Sequence, residues 1–306
     1  MKSVLLHKFL TRGYSLVIIS LFYFLGIHFF SVEDSSGQIF WITVGIQVST
    51  AVFLSFLSHH FRIIREKSHL PFVFYLLFAG TSPGSFLMWK DNLYALVILC
   101  CFFFLFKSYE EERPQKQALN IGIFLTGGAL FYPFFYILIP VFIWGLYQFR
   151  SLNLKSLLAA FCGSLLVYLF LFCWCLYMKD PASFFIFLPD WETFMPQLIT
   201  FNVQDLIVFL FVITLFIVSG VNIYIAGISE KIKNHVILSF SFFFSFFILI
   251  LLFVESQWEA EWKCLLALPL TLLFSHFFST GTSKIKTFLL ILSVILFIGA
   301  GIWHLY

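Results

Sequence analysis

Charge is scarce in this chain: Asp, Glu, Lys and Arg make up 11% of its 306 residues, while 61% are hydrophobic and 22% aromatic. Soluble domains carry roughly 45–50% apolar and about 25% charged residues, so too little polar surface remains here to clothe a water-soluble globule. The scarcity is sharpest inside the long apolar runs, whose centres hold no Asp, Glu, Lys or Arg. Ionisable residues within spans mark proton relays and ion-coupled pathways, and their absence argues against a secondary transporter. Cysteine is equally uninformative. Cys100, Cys101, Cys162, Cys173, Cys175 and Cys264 lie within or at the edge of apolar segments, Cys173 and Cys175 are too close for a CxxC site, and no pair has zinc-ligand spacing. They read as small hydrophobes, and neither a disulfide framework nor a metal site is expected. A P-loop, GxGxxG and HExxH are all missing, so nucleotide hydrolysis has no textual support. No cofactor is predicted.

What is present is a series of apolar runs punctuated by short charged clusters, the signature of an all-α, polytopic transmembrane bundle. Each crossing needs on the order of 20 helical residues. Residues 14–30, 38–58, 70–89, 92–106, 155–177, 205–227, 236–254, 264–279 and 287–305 each read as one. The run from Ala118 to Phe149 would make a single helix of about 48 Å, too long for one crossing. Gly127, Gly128 and the Tyr132-Pro133 pair break it near the middle. Two short spans there bring the total to eleven, in one integral membrane domain covering residues 1–306. A retained first helix is expected rather than a cleaved signal peptide, because Ser31-Val32-Glu33-Asp34 offers no small-x-small site.

The basic residues test that count. With eleven spans and a cytoplasmic N-terminus, 15 of the 18 Lys and Arg fall inside, leaving Lys90, Lys179 and Lys263 outside. A single crossing over 118–149 would invert everything downstream and give 11 against 7. Loop charge bias sets orientation, with Lys and Arg on the cytoplasmic side, so the eleven-span map is preferred and the C-terminus is placed outside. Ten of the 15 acids lie outside on the same map. The net charge of +3 therefore hides a basic inner face and says nothing of nucleic acid. Membrane lipids are the expected partners, the bacterial inner membrane the expected location, and oligomeric state is left open.

Polar residues within spans are mild. Gln47 with Ser49 and Thr50, or Asn222 with Ser219, line a pathway on one reading and make interhelical hydrogen bonds on the other, commoner one. Histidines are scattered, without an i, i+4 pair. Three acidic segments occupy the outer surface. Glu33-Asp34 lies in the first outer loop. The longest outer loop, residues 178–204, mixes Asp180, Asp190 and Glu192 with Phe184, Phe185 and Trp191 and suits an interfacial segment. The third, Glu255 to Lys263, sets Trp258 and Trp262 four apart. Such tryptophans are belt anchors on one reading and the rim of an outward-facing cavity on the other.

Two resemblances follow. Asp91 to Lys107, Gly127-Gly128-Ala129-Leu130-Phe131-Tyr132-Pro133, Leu138-Ile139-Pro140, Trp144-Gly145-Leu146, Arg150-Ser151-Leu152-Asn153, the Leu157 to Leu171 span, Trp258 to Lys263, Leu268-Pro269-Leu270 and Ser275-His276-Phe277 resemble a family of bacterial inner-membrane proteins known only as a domain of unknown function. More loosely, the order of short inner loops, the outward turn at Tyr132-Pro133 and the Leu-Pro-rich span after an outer charged turn resemble polytopic glycosyltransferases of the C type. That resemblance implies a polyprenyl-phosphate-sugar donor, with Glu33 and Asp34 as catalytic acids in the first outer loop, accepting a proton or holding a divalent metal. It implies substrate binding by Lys263, as a phosphate contact, with Trp258 and Trp262 beside it. A non-catalytic scaffold or accessory subunit, and a facilitator of a lipid or small molecule, are the alternatives.

Overall fold

A computed structural model describes residues 11, 13–31, 38–64, 68–81, 89–179, 203–226, 231–254, 259–280 and 283–303. Among them are eleven helices and no strand: α1 Ser15–Ser31, α2 Gln38–His60, α3 Leu70–Thr81, α4 Trp89–Lys107, α5 Gln115–Ala129, α6 Phe135–Gln148, α7 Leu154–Tyr177, α8 Val203–Ala226, α9 Ile232–Val254, α10 Glu259–Ser279 and α11 Lys284–Trp303. The expected break in the long central run is real, since α5 ends at Ala129 and α6 begins at Phe135. Six helices are long and apolar enough to cross a membrane: the main parts of α2, α7, α8, α9, α10 and α11. The others are shorter: α3 has 12 residues and α6 has 14, about 18 and 21 Å, against a hydrocarbon core of about 30 Å.

The helices form two compact units, Met1–Ala95 with Gln197–Tyr306, and Leu96–Pro196. In the first unit the most buried long helix is the least apolar. Helix α10 has the lowest mean hydropathy of the six long helices, yet 89% of its most apolar stretch is buried. A helix enclosed by other helices can carry Trp262, Thr271, Ser275 and His276, all buried, because lipid never meets them. Helix α3, buried along almost its whole length, packs against it. The Phe74 ring lies 5.4 Å from Phe278 and 6.1 Å from Phe274. Tyr75 is wholly buried, near Thr50 on α2 and Cys264 on α10. Small residues let α1, α3 and α11 approach: a Cβ on Gly301 would overlap the Gly80 carbonyl and the Tyr23 hydroxyl. That hydroxyl donates to the Phe297 carbonyl at 2.8 Å.

In the second unit α7 is the reverse of α10, with 11% of its most apolar stretch buried and high mean hydropathy. Leu158, Phe161, Leu165, Leu169 and Phe170 are exposed along it, as suits a flank solvated by hydrocarbon. Its start is set by Asn153, whose Oδ1 accepts from the Ser156 amide at 2.7 Å while Ser156 Oγ accepts from the Asn153 amide at 2.9 Å. This is a capping box with Ser in place of the usual Glu. Two loops of this unit meet on one side. Ser108, after α4, and Ser151, after α6, share a buried hydrogen bond of 3.1 Å, and Arg150 lies 3.8 Å from Glu110. The ends of the α5–α6 excursion are therefore neighbours.

Candidate functional site

Backbone breaks fix the shape of the second unit. Pro114 precedes α5, where its missing N–H costs nothing. Past Thr126 the ladder tightens: the Phe131 and Tyr132 amides both donate to the Gly128 carbonyl, at 3.1 and 3.0 Å, and Pro133 prevents continuation. A Cβ on Gly128 would stand 2.7 Å from the Phe135 ring, so glycine admits the first side chain of α6. Gly127, expected to act alike, faces open space. Within α6, Pro140 cannot donate to the Tyr136 carbonyl.

Helices α5 and α7 touch backbone to backbone. A Cβ on Gly122 would overlap the Ala160 carbonyl, and one on Gly163 would overlap the Leu119 carbonyl. This reciprocal small-residue contact draws the two axes together. Helix α6 packs on α5 but stands off from α7. Between them lies a cavity of about 280 Å³, lined at helical spacing by Ile121, Leu125 and Thr126 of α5, Tyr136, Ile139 and Ile143 of α6, and Leu157, Phe161, Ser164 and Tyr168 of α7. Ile143, Leu157 and Phe161 are also exposed, so the cavity opens on the apolar flank. No Asp, Glu, Lys, Arg or His lines it. Its polar groups are hydroxyls: Tyr136 and Tyr168 are hydrogen-bonded to each other, Ser164 donates to the Ala160 carbonyl at 3.3 Å, and Thr126 Oγ1 is buried without a partner.

Below the cavity lies a polar plate. Ser108, Ser151 and Ser156 are buried and hydrogen-bonded, and Gln117 donates to the Glu111 carboxylate at 2.8 Å. Around it Lys107, Arg113, Lys116, Arg150 and Lys155 are exposed. Burial, with the Glu110 carboxylate beside it, pushes the Tyr109 phenol above its ordinary pKa, and Arg150 opposes the shift.

Of the residues expected to form a site, Glu33, Asp34 and Trp258 lie outside the described residues, as does most of the 178–204 loop. Trp262 and Lys263 are in the first unit, on α10. The Trp262 ring is completely buried and Lys263 is partly exposed. The mild polar residues serve their own helices or a neighbour. Ser49 and Thr50 donate to the Ile46 carbonyl, and Ser219 to that of Leu215. Asn222 donates to Thr280 Oγ1 at 3.4 Å and accepts from Lys286 at the same distance. Lys286 also donates to the Thr280 carbonyl, closing the α10 C-terminus with a cation, where the helix dipole favours one. Among the described residues no three of His, Cys, Asp and Glu stand close enough to hold a metal ion, and none of the six cysteines is in a disulfide. Thr126, Tyr136 and Tyr168 were not legible as a group. The nearest signal was the Thr126-Gly127-Gly128 break, and which hydroxyls face one another across it is a tertiary fact.

The sequence profile of a family of unknown function, DUF6427, matches residues 6–305. The chain belongs to that family, and the resemblance expected from its central third and from Trp258 to Lys263 extends to nearly its whole length. No curated protein and no solved structure matches the chain.

Proposed function

We propose that this member of the DUF6427 family is a multi-pass protein of the bacterial cytoplasmic membrane that binds a membrane lipid in its second unit, in the service of cell-envelope glycan or lipid assembly. The observation that carries the reading is the cavity: apolar walls, no ionisable lining, and a rim on the flank most suited to hydrocarbon. Pockets for small ligands are mostly apolar with a few placed polar groups, and here only a lipid tail has direct access. Native mass spectrometry of the protein extracted in mild detergent tests this. One lipid per chain should survive extraction, and Ile139→Trp, which fills the cavity, should release it; a lipid-free wild type sinks the reading.

In its enzymatic form the same protein transfers a sugar from a polyprenyl phosphate carrier, with Glu33 and Asp34 as acids, a divalent metal beside them, and Lys263 with Trp258 and Trp262 on the carrier. Replacing Glu33 by Gln and Asp34 by Asn together should then reproduce the envelope phenotype of a deletion without lowering protein level. Full complementation by the double variant rejects catalysis there. A non-catalytic accessory role is the second reading, favoured by the first unit, whose central helix α10 is enclosed and whose Asn222, Thr280 and Lys286 satisfy one another. The eleven-span map, with N-terminus inside and C-terminus outside, is part of this proposal. The meeting of the 107–114 and 149–153 loops supports its orientation, which is the same whether α5 and α6 each cross or dip together.

A further inference from the structure

We propose that the ligand of the α5–α6–α7 cavity is an uncharged long-chain lipid whose head accepts a hydrogen bond from Thr126, either an isoprenoid quinone or an acylglycerol. The inference rests on the lipid-binding reading above and adds the chemistry of the head group. Thr126 is 1% exposed, lines the cavity, and its hydroxyl has no partner. A threonine within a helix ordinarily returns its hydroxyl proton to a carbonyl of the preceding turn, as Thr50, Thr214 and Thr271 do here. Leaving a buried hydroxyl unmade is costly, and a ligand acceptor removes that cost.

The rest of the lining decides the charge of the head. A phosphate or carboxylate taken into the cavity would need a cation or several donors, and no Lys, Arg or His faces it. Lys107, Arg113, Lys116, Arg150 and Lys155 are on the polar plate, at the ends of α4 and α6 and the starts of α5 and α7, and Lys179 follows the other end of α7, 11 residues past Tyr168. Thr126 stands 11 residues into α5, and Tyr168 stands 14 residues into α7, so both hydroxyls lie roughly 16 to 21 Å along their helices from that plate. Tyr136 and Tyr168 are engaged with each other, whereas the Thr126 hydroxyl has no partner and is the donor we assign to a ketone or ester oxygen. The tail leaves past Ile143 and Phe161, where the wall is open.

The test uses the full-length protein in nanodiscs and a diacylglycerol with a diazirine in one acyl chain. Labelling should map to the peptides holding Ile139 to Ile143 and Phe161 to Tyr168. Decyl benzoquinone and dioctanoylglycerol should compete, the stronger of the two naming the source, whereas dodecyl phosphate should compete at least tenfold more weakly. Thr126→Val keeps the shape of the side chain, should weaken labelling about five-fold, and should raise the melting temperature of the lipid-free protein by removing an orphaned hydroxyl. Equal labelling of wild type and Thr126→Val, or equal competition by dodecyl phosphate, overturns this inference while leaving lipid binding intact. Labelling spread evenly along the flank and indifferent to Ile139→Trp overturns the lipid-binding reading itself.

Discussion

Single residues decide how closely these helices approach. Gly122 and Gly163 meet carbonyls of the opposing helix, where any side chain would force the backbones apart. Gly122→Leu should therefore lower detergent-solubilised yield and melting temperature sharply, by the several-kcal/mol scale of overpacking, about 1–3 kcal/mol or more. Gly128→Leu should also disturb folding, because Phe135 occupies the space, while Gly127→Ala should be neutral or slightly stabilising. All three are read from thermal unfolding of the purified variants, and a destabilised Gly127→Ala would contradict the open space beside it. Sequence drew attention to Gly127 and Gly128 because they adjoin Tyr132-Pro133. It could not single out Gly122 and Gly163, since a glycine within a helix acquires its meaning only from what crosses it. A second residue-scale feature is the left-handed backbone of Arg62 and Arg150, at φ 53° and 55°. The Ile63 amide returns to the Ser58 carbonyl and the Ser151 amide to that of Leu146, both at 3.0 Å, a helix ending that usually takes glycine. Arginine there places a cation at a helix C-terminus and on the basic face at the cost of strain. Arg150→Gly should raise stability by about 1 kcal/mol, since its ion pair with Glu110 is exposed and worth little. A fall in stability would show that the charge matters more than the backbone.

At the scale of elements, helix existence and ends were well marked. The expected spans at 38–58, 155–177 and 236–254 became Gln38–His60, Leu154–Tyr177 and Ile232–Val254, because apolar run length and flanking charge determine where a helix can sit in a bilayer. The 70–89 span differs: α3 covers Leu70–Thr81, and residues 82–88 lie outside the described residues. What pattern could not reveal is which helix is central. Both α7 and α10 read as spans, yet one is almost entirely on the outside and the other almost entirely within. Their roles predict opposite responses to charge. Leu169→Arg, at an exposed site on α7, should cost on the order of 2.5–3.5 kcal/mol of insertion energy and halt membrane integration in a glycosylation-reporter assay. Asn153→Ala should leave integration intact but fray the first turn of α7 by about 1 kcal/mol, seen as faster hydrogen exchange at Ser156 and Leu157.

For the whole molecule, orientation is the property most exposed to test. Single cysteines at positions 34, 191 and 304, introduced after the native ones are removed, should react with an impermeant thiol reagent on intact cells. One at position 110 should stay protected, and the reverse pattern would invert the map. Sequence by itself determined that this is an all-helical membrane protein, where its main helices run, and that the chain turns back between Gly128 and Phe135. Those properties follow from hydropathy, loop charge and proline, each of which acts locally. Only the tertiary structure decided that α10 is enclosed, that α5 and α7 meet through two glycines, and that Thr126, Tyr136 and Tyr168 share a cavity. Inside a bilayer every helix is apolar, so hydropathy no longer separates buried faces from exposed ones, and the choice of neighbours passes to shape: which small residues admit a backbone, and which large ones hold it away.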